Sequence, residues 1–181
     1  FNKYLTEAIR VRRTIQVYSE IFDSRDAIDT LSGKSIEFTS ILKRSMHDEI
    51  LISLARLFDT DGYDTKNGKL EYLSQRNLVL ANESLLNEEL TRIRNKTTEI
   101  WALVKVKNYR DFKLAHNDKD QFLGSKETAK HNVSFESAVE LVETSINLIL
   151  GLMAASGHSS INSNLNEKYE GVGAKFIASI Q

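Results

Sequence analysis

Between Tyr109 and Asp118 the chain reads Tyr-Arg-Asp-Phe-Lys-Leu-Ala-His-Asn-Asp, which sets Arg110, Asp111 and His116 close together beside Tyr109, Lys113 and Asn117. Arginine carries a fixed fork of donors suited to phosphate oxygens, and histidine alone titrates near neutral pH without help. Such a group can bind phosphate and move a proton.

The run lies in a basic stretch. From Arg92 to Lys119 there are eight basic residues (Arg92, Arg94, Lys96, Lys105, Lys107, Arg110, Lys113, Lys119) against three acids, a local net +5 in a chain whose formal net charge is −1. Phosphate contacts draw their affinity from counterion release, so a basic surface beside a histidine is what an RNA-phosphate site needs. The plainer reading is a solvated helix face. Global charge and a pI near 6.5 give no reason to expect nucleic acid, so such a partner must use this local patch.

The elements that must position these residues are helical. Proline, the strongest helix breaker, is absent from all 181 residues, so long uninterrupted helices are permitted everywhere. Tyr4, Ala8, Val11, Ile15, Tyr18 and Phe22 fall on one helical face, as do Leu86, Leu90, Ile93, Thr97, Ile100 and Val104. Phe135, Val139, Val142, Ile146, Ile149 and Met153 repeat the pattern, with Ser134 as N-cap and a stop near Gly157. A further helix from about Ser35 to Phe58 carries Phe38, Leu42, Met46, Ile50, Leu54 and Leu57, and its second half is apolar nearly all round, which predicts a central position. Within that half, Arg56 stands three residues before Asp59, a helical ion-pair spacing that reads either as a structural cap or as site support.

Asp59 to Lys69 reads as a loop, Lys69 to Leu80 as a short helix or turn, Gly124 to Val133 as a polar connection, and Tyr169 to Ile180 as a small C-terminal helix. The start of the loop is like a calcium loop, but Asp64 stands where glycine is needed and Leu70 where a bidentate glutamate is needed. His47, Asp48 and Glu49 are adjacent rather than helically spaced, and His131 and His158 join no constellation, so no metal site and no cofactor is expected. Cysteine is absent, which removes disulfides and thiolate sites and suits a reducing cytoplasm. The longest apolar run, Leu148 to Ala155, is short of the roughly 20 residues of a membrane span, and Phe1-Asn2-Lys3 does not open a secretory signal. The expectation is one all-α domain over residues 1–181, a four-helix bundle with short additional helices, located in the cytoplasm.

An arginine, a polar residue and, a handful of residues later, a histidine, placed late in a four-helix bundle, resemble the HEPN domains of prokaryotic defence and toxin systems. Five residues separate Arg110 from His116, and Asp111 fills the polar position. The wider layout is similar to the AbiU-like abortive-infection branch: Arg56-Leu57-Phe58-Asp59 ends a helix, a loop follows, and an Arg-Asp-x-x-x-Ala-His-x-Asp stretch comes later. The likeness spans roughly Tyr4 to Met153.

The resemblance implies a metal-independent endoribonuclease acting as a homodimer, with two copies of the motif meeting at the interface and an antitoxin protein as a candidate further partner. Cleavage through the 2'-hydroxyl needs one proton taken, one given and charge on phosphorus stabilised. His116 from each subunit would supply base and acid, two Arg110 side chains would hold phosphate, and Asp111 would orient Arg110 or a histidine. Lys113, Tyr109 and Asn117 would contact substrate, with Arg56 and Asp59 in support. On an ideal helix Arg110 and His116 point about 120° apart, so either the helix ends or bends between them or each addresses a different part of a site completed by a second chain. The alternative is a non-catalytic module that binds nucleotide or a partner protein through the same segment.

Overall fold

A computed structural model describes residues 1–59, 62–66, 68–70, 72–111, 130–158 and 171–181. Its helices are α1 (Asn2–Phe22), α2 (Arg25–Lys34), α3 (Ile36–Phe58), α4 (Gln75–Leu80), α5 (Glu88–Val104), α6 (Val106–Tyr109), α7 (Phe135–Ala155) and α8 (Val172–Ile180), with a 3-10 turn at Glu83–Leu85. The fold is all-α, as the periodicity predicts.

The helix starts are set by side-chain caps. Ser35 accepts from the Phe38 N–H to open α3, Asn87 from Leu90 to open α5, and Ser134 from Ser137 to open α7 in a reciprocal capping box. Gly157, at φ +76°, ends α7 by taking a left-handed turn that a residue with a Cβ resists.

Helix α7 is the inner helix. Leu141, Val142, Leu148, Ile149 and Leu152 are fully buried, and α7 packs on α1 and α5. It is long and apolar enough to cross a membrane by length and composition alone, but those apolar side chains are spent inside the bundle. Each buried aliphatic side chain contributes roughly 1.5–3 kcal/mol. Tyr4 of α1 is also fully buried, its hydroxyl 2.6 Å from that of Ser145 on α7. Burial pushes the Tyr4 phenol well up, with the Ser145 hydrogen bond opposing.

Three expectations need correction. Helix α3 is not central along its length: Ile50, Leu54 and Leu57 are buried, but Ile36, Phe38 and Ile41 in its first half are exposed. Residues 25–34 form a helix that periodicity did not suggest, since only Ala27 and Leu31 are buried. The loop after Asp59 contains a short antiparallel hairpin, Tyr63–Thr65 (β1) against Gly68–Leu70 (β2), with Thr65 opposite Gly68.

A satellite core of Ile21, Phe22, Ala27, Leu31 and Ile177 holds α8 against α1 and α2. Glu20 reaches across from α1 to accept the Gly171 N–H at 2.6 Å and the Gly173 N–H at 2.7 Å, placing a carboxylate on the N-terminus of α8.

Candidate functional site

Helix α5 stops at Val104 because Lys105 turns left-handed, at φ 52°. The freed end is covered by Asn132, whose backbone N–H donates to Val104 O at 2.9 Å and whose Nδ2 donates to Leu103 O at 3.3 Å. The turn lets the chain restart as α6, whose Val106 is fully buried and which packs on α3. At Arg110 and Asp111 the helix widens into a π-type turn, a form that recurs at functional sites.

Arg110 meets two carboxylates. Its Nη1 donates to Asp59 Oδ2, and its Nε and Nη2 donate to Asp111 Oδ1, the Nε bond at 2.7 Å. Asp59 is 4% exposed and sits at the C-terminal end of α3, while the Arg110 side chain is 25% exposed. Burial alone would lower the Arg110 pKa, but the hydrogen bonds and charges of Asp111 and Asp59 outweigh it and hold the guanidinium charged. Among the described residues, three of the five N–H donors of the guanidinium are engaged, which leaves two for another acceptor.

This arrangement brings Arg110, Asp111 and Asp59 together. It does not pair Arg56 with Asp59: Arg56 is exposed, and its charge instead helps to hold Glu49 ionised. Burial acts to raise the Glu49 pKa, and hydrogen bonds from Ser53 and Arg10, with the charges of Arg10 and Arg56, bring it down. The Ser53 hydroxyl donates to Glu49 at 2.9 Å and accepts from Arg10 at 3.0 Å, so the buried polar group of α3 is satisfied locally. Lys96 of the basic stretch is paired with Glu140 at 2.6 Å. His116, Lys113 and Asn117 lie outside the described residues.

Sequence reasoning missed a ring cluster beside the site. His131 lies 4.7 Å from Tyr109 and 5.1 Å from His47 between centroids, and His47 lies 6.4 Å from Tyr18. The Val133 N–H donates to His131 Nδ1 at 3.2 Å, so the proton of a neutral His131 ring resides on Nε2. His47 Nδ1 stands 3.3 Å from Asp48 Oδ1, and since a carboxylate only accepts, the neutral His47 ring carries its proton on Nδ1. No short spacing announces this group, because it joins α1, α3, α6 and the segment before α7. Tyr109 and Arg110 thus reach opposite ways along α3, the ring toward His47 and the guanidinium toward Asp59, positions about 18 Å apart along a helix axis.

Two separated elements, the Arg56-to-Asp59 end of α3 and the Arg110-Asp111 turn, meet in one ion-pair cluster inside a helical bundle. Comparison with curated proteins and with solved structures gives no match. A protein-family model, described as AbiU2 and of HEPN type, matches residues 1–176. That match takes in nearly the whole chain and both elements of the cluster, and the chain therefore belongs to the HEPN AbiU2 family.

Proposed function

We propose that this HEPN domain is a metal-independent endoribonuclease of a phage-defence or toxin-antitoxin system, with a composite site at a homodimer interface. The observation that carries the reading is the Arg110–Asp59 pair, which joins the two family elements and presents a partly exposed guanidinium in a basic stretch. Asp59 and Asp111 orient Arg110, and its two remaining donors receive a phosphate. His116 of each subunit takes and gives the protons of 2'-hydroxyl attack. RNA, a second copy of the chain and an antitoxin are the partners, and the cytoplasm is the compartment.

One observation favours a second reading, a binding module without catalysis. Asp59, Arg110 and Asp111 together carry a net −1, so the cluster repels phosphate unless neighbouring cations or a second chain offset it.

The test is cleavage of varied RNAs by the purified protein with EDTA present. Arg110→Ala and His116→Ala are each expected to abolish cleavage while light scattering still shows a dimer. Unchanged cleavage in both variants removes the assigned site; binding without cleavage by the wild type selects the second reading; a strict monomer that cleaves overturns the composite arrangement.

A further inference from the structure

One histidine fastens the segment before α7 to the end of α5. His131 Nδ1 accepts the N–H of Val133 at 3.2 Å, two residues on, so the ring closes a local turn around Asn132. Asn132 in turn donates its N–H to Val104 O at 2.9 Å and its Nδ2 to Leu103 O at 3.3 Å. Those carbonyls stand where Lys105 turns left-handed and α6 begins, so the turn holds the junction that carries Tyr109 and Arg110.

This fastening is sensitive to a proton. An imidazole nitrogen accepts a hydrogen bond only while unprotonated, and in the imidazolium both nitrogens are donors. A proton entering at Nδ1 sets the His131 N–H against the Val133 N–H, and the turn loses its closing bond. His131 is partly exposed, so solvent protons reach it.

The surrounding groups do little to compensate a charge there. From α3, His47 lies 5.1 Å away between centroids and is itself titratable, with Asp48 3.3 Å from its Nδ1. From α6, Tyr109 packs nearly at right angles at 4.7 Å, and from α1, Tyr18 lies 6.4 Å from His47. Lys43, one turn before His47, lies over the Phe22 ring, and Lys107 and Lys130 flank the cluster in sequence. Of these groups Asp48 alone is acidic, and it is engaged by His47.

We propose that His131 is a proton-operated latch. Neutral, it closes the turn that seats α6 and Arg110; protonated, it releases Asn132 from the end of α5 and loosens that seating. A histidine held neutral in the closed form takes its proton more readily in the open one, so the open form gains up to about tenfold for each pH unit below the transition. The closed form is intact above that range and is lost as pH falls through it, between about pH 7 and 5, where histidine titrates. Charge on His47 adds repulsion in the same direction. The latch regulates the Arg110 site and does not require that the chain cleave RNA.

NMR titration of the full chain from about pH 7.5 to about 5 tests this. The Asn132 and Val133 amides and the Arg110 Nε–H are expected to shift with the midpoint of the His131 Cε1–H. Exchange of the Asn132 amide, corrected for its intrinsic rate, should be roughly tenfold faster at the acid end. His131→Asn places an amide oxygen, which does not titrate, where Nδ1 stands, the common closure of such a turn. It should hold the Asn132 and Val133 amides constant across the range. A transition of these amides that persists in His131→Asn overturns the proposal, as does a His131 titration that leaves Asn132 and Val133 unmoved in the wild type. The second result is read on the wild type alone, so it decides whether or not the variant folds. None of these signals depends on cleavage, so a working latch in a chain without ribonuclease activity faults only the ribonuclease reading.

Discussion

Asp59, buried at the end of α3, accepts from Nη1 of Arg110, 51 residues further along the chain. The pair fixes how the motif arginine must be tested. Removing Arg110 leaves a buried carboxylate without its cation, and breaking a buried pair costs about 3–5 kcal/mol, less here because the guanidinium is a quarter exposed.

Arg110→Ala is therefore expected to lose about 2–3 kcal/mol in urea unfolding. Adding Asp59→Asn, which removes the stranded charge, should restore at least half of that loss without restoring cleavage. A double variant as unstable as Arg110→Ala would show that Asp59 is not the source of the cost. Cleavage lost in the refolded double variant separates the role of Arg110 in the reaction from its role in the fold.

Much of the bundle was legible because four apolar stripes run at helical spacing, and because Ser134 stands where a cap is needed. Periodicity shows which face of a helix is apolar but not which part of its length has a partner, so Phe38 belongs to the stripe of α3 and is nonetheless 54% exposed. The hairpin escaped notice because Asp, Gly, Thr and Asn between Asp59 and Lys69 read as loop chemistry whether or not two short strands pair there. At the site, local spacing offered Arg56 to Asp59, whereas the fold gives Asp59 to Arg110. His47 and His131 are 84 positions apart in the chain, and they become neighbours only where the segment before α7 passes α3.

The Tyr4–Ser145 hydrogen bond is the polar contact most deeply enclosed between α1 and α7, both residues being at 0% exposure. Tyr4→Phe strands the Ser145 hydroxyl and Ser145→Ala strands the Tyr4 phenol, each costing about 1–3 kcal/mol. The double variant should cost less than the sum of the two by about 1 kcal/mol, since neither group is then left unpaired. Additive losses in chemical denaturation would argue against the bond.

Attachment of α8 should depend on pH through Glu20. Burial acts to raise its pKa, but hydrogen bonds from Gln16 and from the N–H groups of Gly171, Gly173 and Ala174 outweigh this and place it below its ordinary value of 4.5. A carboxyl with a depressed folded pKa stabilises fully above the unfolded value and loses that contribution as pH falls through the folded value. The amide resonances of Gly171 and Gly173 are expected to stay constant at neutral pH and to shift in acid below 4.5. In Glu20→Gln the acid transition of these amides should vanish, with a loss of about 1 kcal/mol as for other helix caps.

The ring cluster offers a way to separate binding from chemistry. Tyr109 and His131 stand in contact with each other rather than with the Arg110 guanidinium, which is turned to Asp59 and Asp111. On the ribonuclease reading they would contact a neighbouring nucleotide by stacking, worth about 1–3 kcal/mol per base. Tyr109→Ala and His131→Ala are then expected to raise KM roughly tenfold or more with a smaller change in kcat, whereas Arg110→Ala lowers kcat. A kcat loss in His131→Ala equal to that in Arg110→Ala would place His131 in the proton transfers instead.

Lys105 is the only non-glycine residue with positive φ among the described residues, and it makes the turn from α5 to α6 that brings Arg110 to Asp59. A side chain held left-handed costs roughly 1–2 kcal/mol, while glycine adopts the same backbone without a Cβ clash but loses more freedom on folding. Lys105→Gly should therefore gain about 0.5–1 kcal/mol, seen as a melting temperature a few degrees higher. Lys105→Ala keeps the Cβ and should gain nothing. Both variants preserve the turn, because the α5 end is closed from outside by Asn132 rather than by the lysine side chain. Their cleavage should accordingly differ from wild type only through the loss of one surface cation, which higher salt would mask. If Lys105→Gly were destabilised instead, the lysine side chain would have to hold the junction itself, and the placement of Arg110 would depend on it directly.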